Sequence, residues 1–322
     1  MTTPNKIKKL TGREASRRNA QGLTLIELMV SLVIGLLLAI VASSTYLYSK
    51  QAYNSVSETS QLEENGRMAL DLLTRYVQSA GYVAINRNST FAFGALDQKV
   101  TGCDFGMADA QNASALADLA CNASTPAGTR RSASLTVVSE TDPFVSTVGA
   151  GSVVGRLQGL NCVGDGAAVV PADASINSTV TFVVRSSFFI SNSVAATQFG
   201  TATMGQLSCV ADSTLPGGAP AYQAQPLIPG VVQLAVTYLT PSALIPGSAQ
   251  KAVNTATLTA TDAWNTVTAV DLCVLTQSIQ NSGNDTGVAV NDCYGVAIAV
   301  VPGQTFRRFT TTVKLRNRSG GV

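Results

Sequence analysis

Histidine is absent from all 322 residues. That removes the commonest general base, the commonest zinc ligand and the usual partner of a nucleophilic Ser or Cys. No G-x-x-x-x-G-K-[ST], G-x-S-x-G, H-E-x-x-H or D-x-D-x-D-G motif occurs, so the sequence argues against a hydrolase triad and against a chain that drives its own work with a nucleotide. The segment from Asn281 to Gly287 clusters oxygen-bearing side chains, but it lacks a bidentate Glu in EF-hand register and reads as an Asn/Gly turn, as does Gly164-Asp165-Gly166. No cofactor, resident metal or enzymatic activity is expected. Six cysteines remain: Cys103, Cys121, Cys162, Cys209, Cys273 and Cys293. None lies in a C-x-x-C pair, and their even number and wide spacing fit disulfides formed in an oxidising compartment. Pairing sequence neighbours, 103 with 121, 162 with 209 and 273 with 293, closes a loop between or beside strand segments each time and is the expected set. The remaining residue of chemical interest is Glu27, a carboxylate just inside an apolar run.

That run, residues 23–42, is 20 residues long. As a helix it measures about 30 Å, the thickness of a bilayer's hydrocarbon core. Of the 21 Lys+Arg, six (Lys6, Lys8, Lys9, Arg13, Arg17, Arg18) precede the run with one of the 19 Asp+Glu, so the rest of the chain holds 15 basic and 18 acidic residues. Only Lys50 follows the run closely. The positive-inside rule places the N-terminus in the cytoplasm and all that follows the run outside, where the cysteines meet oxidising conditions. A mildly acidic body gives no broad electrostatic footprint for nucleic acid. The basic end, Arg307, Arg308, Lys314, Arg316 and Arg318, reads as a solvated strand face that meets an acidic neighbour. A secretory signal would be cut after the apolar run, where Val41-x-Ser43 is a weak site. A plain anchor explains the span but not Glu27. Ser31, Gly35 and Ala39 recur every four residues, a small-residue stripe that lets helices approach closely.

Gly22-Leu23-Thr24-Leu25-Ile26-Glu27 after a short basic leader resembles the signal of type IV prepilins. The resemblance implies a cut by prepilin peptidase after Gly22, methylation of the new N-terminus at Leu23, and Glu27 as the residue that docks one subunit on the next. Leu23 departs from the Phe usual at that position. The new ammonium of one subunit would pair with Glu27 of its neighbour and set their axial register, since opposite charges attract strongly where the dielectric is low.

Helical periodicity continues past the membrane run. Ala69, Leu72, Leu73, Tyr76, Val77 and Ala80 form an apolar stripe, Glu63/Arg67 and Asp71/Arg75 are i,i+4 pairs on the solvent side, Gly66 is a soft spot, and Gly81 is a stop. The segment from Leu62 to Arg75, the Ser-Ala-Gly81-Tyr82 that closes the helix, and Phe309 to Arg318 resemble PilW-type minor pilins. Between about 83 and 130 the chain reads as loops stapled by cysteines. Strand alternation marks Leu135–Ser139, Val180–Arg185, Val232–Tyr238, Val267–Leu275 and Phe309–Leu315, the last with Phe309, Thr311, Val313 and Leu315 on its inner face. The expected fold is α+β and type IV pilin-like, a long N-terminal spine helix packed on an antiparallel β-sheet with disulfide-stapled loops. Residues 1–22 form the cytoplasmic leader, 23–80 the spine (23–42 transmembrane, 43–80 amphipathic) and 81–322 a β-rich periplasmic or extracellular domain.

The function expected from the resemblance is that of a minor pilin in the initiation or tip complex of a type IV pilus. Its partners would be other minor and major pilins along the spine, the prepilin peptidase, the inner-membrane assembly platform, a tip adhesin and the inner membrane itself. Its location would be the inner membrane, then the periplasm and the pilus on the surface of a Gram-negative cell. A J-type pseudopilin of a type II secretion system shares the leader, helix and sheet, and the Leu315-Arg-Asn-Arg318 pattern favours the pilus. A pilus-borne adhesin or DNA-uptake subunit is the reading from another class, with residues 83–130 or the basic end as its contact.

Overall fold

The apolar stripe after residue 60 requires something to lie on. The computed structural model describes residues 24–82, 99–112, 119–127, 129–141, 145–147, 153–155, 161–164, 168–170, 181–197, 200–213, 221–241, 251–255, 258, 261–278, 290–298 and 304–316. The long helix α1 runs over Leu25–Ser79. The chain divides into two units, Met1–Tyr53 and Asn54–Val322, and α1 contributes to both.

In the first unit α1 is apolar on every side. Each large apolar side chain from Leu25 to Val41 is more than half exposed, and the helix is long and apolar enough to cross a membrane. In the second unit the same helix has one buried face, made by Glu58, Leu62, Gly66, Ala69, Leu73 and Val77 and continued by Ala80 just past its end, while Glu64, Arg67, Met68, Asp71 and Arg75 are exposed. Spacings of three and four residues keep this face aligned over five turns. Arg67–Glu63 and Arg75–Asp71 form the i,i+4 pairs read from the sequence. The helix stops at Gly81, whose φ of 68° suits glycine and whose N–H donates to the carbonyl of Val138 at 2.8 Å.

The stripe meets two antiparallel sheets rather than the single sheet expected. The first contains β1 (Val100–Cys103), β2 (Ser134–Thr141), β6 (Thr181–Thr197), β7 (Gly200–Ser213) and β8 (Ala221–Pro229) in that order, with β5 (Ala168–Val170) also paired to β6. The second is ordered β10 (Lys251–Val253), β9 (Val231–Thr240), β11 (Ala269–Gln277), β12 (Phe306–Lys314). A short ladder joins β3 (Val145–Thr147) to β4 (Val153–Gly155), and a one-turn helix α2 (Thr261–Asn265) precedes β11. Gly230, at φ 76°, separates β8 from β9. Its N–H donates to the carbonyl of Gly205 in one sheet and its carbonyl accepts from Gln277 in the other, so the chain changes sheets at this residue.

Each of the five segments with strand alternation overlaps a strand, in order β2, β6, β9, β11 and β12. One core joins the helix to both sheets: Ala69, Leu73 and Val77 of α1, Leu135, Phe188 and Leu207 of the first sheet, and Leu234, Val270, Leu272 and Val313 of the second. Tyr76 packs edge-on against Phe188 with ring centroids 4.9 Å apart. Burial of each large aliphatic side chain contributes about 1.5–3 kcal/mol.

The cysteines pair as sequence neighbours, Cys103–Cys121, Cys162–Cys209 and Cys273–Cys293, with Cα separations of 5.2, 6.2 and 5.7 Å. The first staples the loops between about 99 and 130, which are also tied in by β1 and by the bridge between Met107 and Cys121.

Candidate functional site

Thr24 caps the start of α1. Its carbonyl accepts the first helical hydrogen bond, from Leu28, and its Oγ1 accepts from the N–H of Glu27 at 3.3 Å. Glu27 therefore sits in the first turn, where a carboxylate complements the positive end of the helix. Its side chain is exposed, and no described cation pairs with it. Gly22 and Leu23, the expected cleavage and methylation residues, lie outside the described residues, as do the basic leader, residues 83–98, residues 281–287 and Arg318.

Ser31, Gly35 and Ala39 lie exposed on α1 at four-residue spacing. A Cβ built on Gly35 would meet no atom within 4 Å. The Ser31 hydroxyl donates to the carbonyl of Leu28 at 2.9 Å, which satisfies it within the helix and lowers its cost in an apolar medium.

At the other end of the chain, β12 alternates as expected: Val313 and Leu315 are buried, Phe309 and Thr311 half-buried, and Thr310, Thr312, Lys314 and Arg316 exposed. Arg307 forms an ion pair with Glu63 of α1, so part of the basic end meets an acidic residue of its own chain. Both side chains are over a third exposed, and such a pair contributes about 1 kcal/mol or less. Gly66 is a close-packing position, not the soft spot expected. A Cβ there would collide with the ring of Phe309, so glycine lets β12 lie against the helix. Its place on the buried stripe is the sequence signal for this role.

Two further features had no sequence signal. Arg131 lies between the rings of Phe105 and Tyr294, at 4.8 and 4.2 Å from their centroids. Buried Gln233 donates to the carbonyl of Arg131 and to Asp292 Oδ2, and its Oε1 accepts from the N–H of Cys293. Burial pushes the Asp292 carboxyl up. The hydrogen bonds from Gln233, Val296 and Tyr294, with the charge of Arg130, outweigh this and hold it below the usual carboxylate range. Two disulfide-bonded loops thus converge on one arginine. Separately, the hydroxyls of Tyr238 and Ser134 are buried without a hydrogen-bond partner, and burial drives the Tyr238 phenol far above its ordinary pKa. Among the described residues no three His, Cys, Asp or Glu side chains gather as metal ligands.

A membrane-length helix with an acid in its first turn, continued as an amphipathic helix under antiparallel sheets and followed by disulfide-bonded loops, defines a pilin-like subunit. Residues 187–317 match the family model described as Type IV Pilus-assembly protein W, and residues 17–43 match the Prokaryotic N-terminal methylation motif. These two matches support a type IV pilus minor pilin, processed at its N-terminus and involved in pilus assembly. No curated protein and no solved structure matches it.

Proposed function

We propose that the chain enters the inner membrane with its N-terminus in the cytoplasm, is cut between Gly22 and Leu23, is methylated at Leu23, and joins an initiation or tip complex with other minor pilins. The observation that carries this reading is Glu27, exposed in the first turn of a fully apolar helix segment and without a described partner in its own chain. A carboxylate in that setting is costly alone and favourable once a neighbour's ammonium pairs with it. The small-residue stripe Ser31, Gly35, Ala39 then gives neighbouring spines a face for close packing. The prepilin peptidase, the inner-membrane assembly platform, major pilins and a tip adhesin are the partners this role requires, with the final location on the pilus outside the cell. The family match supports a pilus over a secretion system.

The direct test is mass analysis of the N-terminal peptide of the chain recovered from cells that assemble the pilus. The expected peptide begins at Leu23 and carries one methyl group. A retained leader, or a terminus after Ser43, contradicts the proposal.

A further inference from the structure

The outer strands of the two large sheets are not equivalent. β1 has four residues and β10 three. β8 has nine, but it contains Pro226 and Pro229 and pairs with β7 through a register shift at Leu207/Ser208. Short length, proline, bulges and charged side chains are devices that blunt a sheet edge. β12 also has nine residues, is free of proline and pairs with β11 without a shift from Phe306 to Lys314, so charge, at Arg307, Arg308 and Lys314, is the one such device it carries.

Flanking bonds fix which of its backbone groups face outward. The N–H of Leu315 donates to the carbonyl of Thr268, and the carbonyl of Thr305 accepts from Ser278. Odd-numbered residues therefore turn their backbone groups toward β11. By two-residue alternation, Phe306, Arg308, Thr310, Thr312 and Lys314 turn theirs away from the sheet. No backbone group of another described residue pairs with them. The inner face is already braced, by Phe309 against Gly66 and by buried Val313, so the edge is presented without rearrangement.

Charge selects the partner. Arg307, Arg308 and Lys314 are exposed along the strand and Arg316 just beyond it. Arg307 pairs with Glu63, Arg308 reaches the carbonyl of Asp292 at 3.4 Å, and no described carboxylate forms an ion pair with Arg308, Lys314 or Arg316. Two such edges side by side would oppose cation to cation, which disfavours a second copy of this chain, whereas a strand bearing Asp or Glu is attracted.

We infer that the outer edge of β12 receives an extended acidic segment of a neighbouring pilus subunit, which adds a strand to the four-stranded sheet. The inference rests on the chain's working among pilus subunits. Main-chain bonds from the five outward residues supply the attachment, and Arg308, Lys314 and Arg316 supply the preference for acid.

The test uses the full chain in cells that assemble the pilus, with a photo-crosslinking amino acid at Thr312 and, as control, at exposed Gln225 on β8. The expected result is an adduct from position 312 to an Asp/Glu-bearing segment of another subunit that carries a prepilin signal. It should fall roughly fivefold or more in Thr310→Pro, which removes an outward donor and no bond to β11, and in the Lys314→Glu/Arg316→Glu double variant, while Thr310→Ala leaves it unchanged. Retention of the three disulfides by non-reducing peptide mapping establishes that each variant is folded; should Thr310→Pro fail this control, the charge reversals decide alone. A yield at 312 no higher than at 225, an adduct to a second copy of this chain, or an adduct indifferent to these variants overturns the inference. N-terminal processing of the unsubstituted chain is read in the same samples: a retained leader defeats the pilin reading, whereas normal processing without the adduct defeats only the edge inference.

Discussion

The two stretches of α1 are written in the same helical period, yet they finish their packing in different places. From Leu25 to Val41 the apolar residues surround the helix and all of the large ones are exposed. From Leu62 to Ala80 they occupy one face, and that face is buried against two sheets. The first stretch therefore requires lipid or other subunits, whereas the second is completed within its own chain. Glycine shows the same contrast, since Gly35 has open space where a Cβ would stand and Gly66 has the ring of Phe309.

The contrast is broken most severely at Leu73. Fully buried Leu73→Ala should destabilise the globular unit by about 2–5 kcal/mol through lost burial and a cavity. Leu36→Ala should leave it within about 0.5 kcal/mol. Denaturant unfolding of both variants of the full chain in detergent checks this, and equal losses would remove the distinction.

The glycines come next. Gly66→Ala should cost about 1–3 kcal/mol, because overpacking against Phe309 outweighs the gain in helix propensity, and Phe309→Leu in the same chain should restore part of the loss. Gly35→Ala should leave unfolding unchanged and alter only the recovery of the chain in pili. Thermal unfolding and pilus recovery, measured side by side, separate the two positions.

The smallest effect belongs to Tyr238. Its buried hydroxyl lacks a partner, so Tyr238→Phe should be neutral or stabilising by about 1 kcal/mol, and a clear loss of stability would show that the hydroxyl is bonded.

The helical stripe was legible because period and burial coincide from Leu62 to Ala80, and β12 was legible because four alternate residues share an inner face. Glu27 stood out because a carboxylate in an apolar run is rare. The division into two sheets was not legible. It depends on Gly230, whose positive φ and paired bonds to Gly205 and Gln277 exist only in the folded chain. Strand β7 was missed because Gly, Ala, Ser and Gln dilute its alternation, and β8 because its two prolines argue against a strand. The Arg131 sandwich escaped for a related reason. Phe105 and Tyr294 lie far apart in sequence and are brought together by two disulfide-bonded loops that no local pattern relates. Gly66 was misread because a glycine in a helix looks like a weakness until the residue opposite it is known.

The role proposed for Glu27 lies in assembly and not in the fold. It is tested most directly by the amount of Glu27→Ala chain recovered in sheared pili relative to the membrane fraction. The expected variant is inserted, processed and folded, yet falls about tenfold or more in pili, since a neighbour's ammonium would be left buried and unpaired. Recovery in pili at the level of the unsubstituted chain would contradict that role.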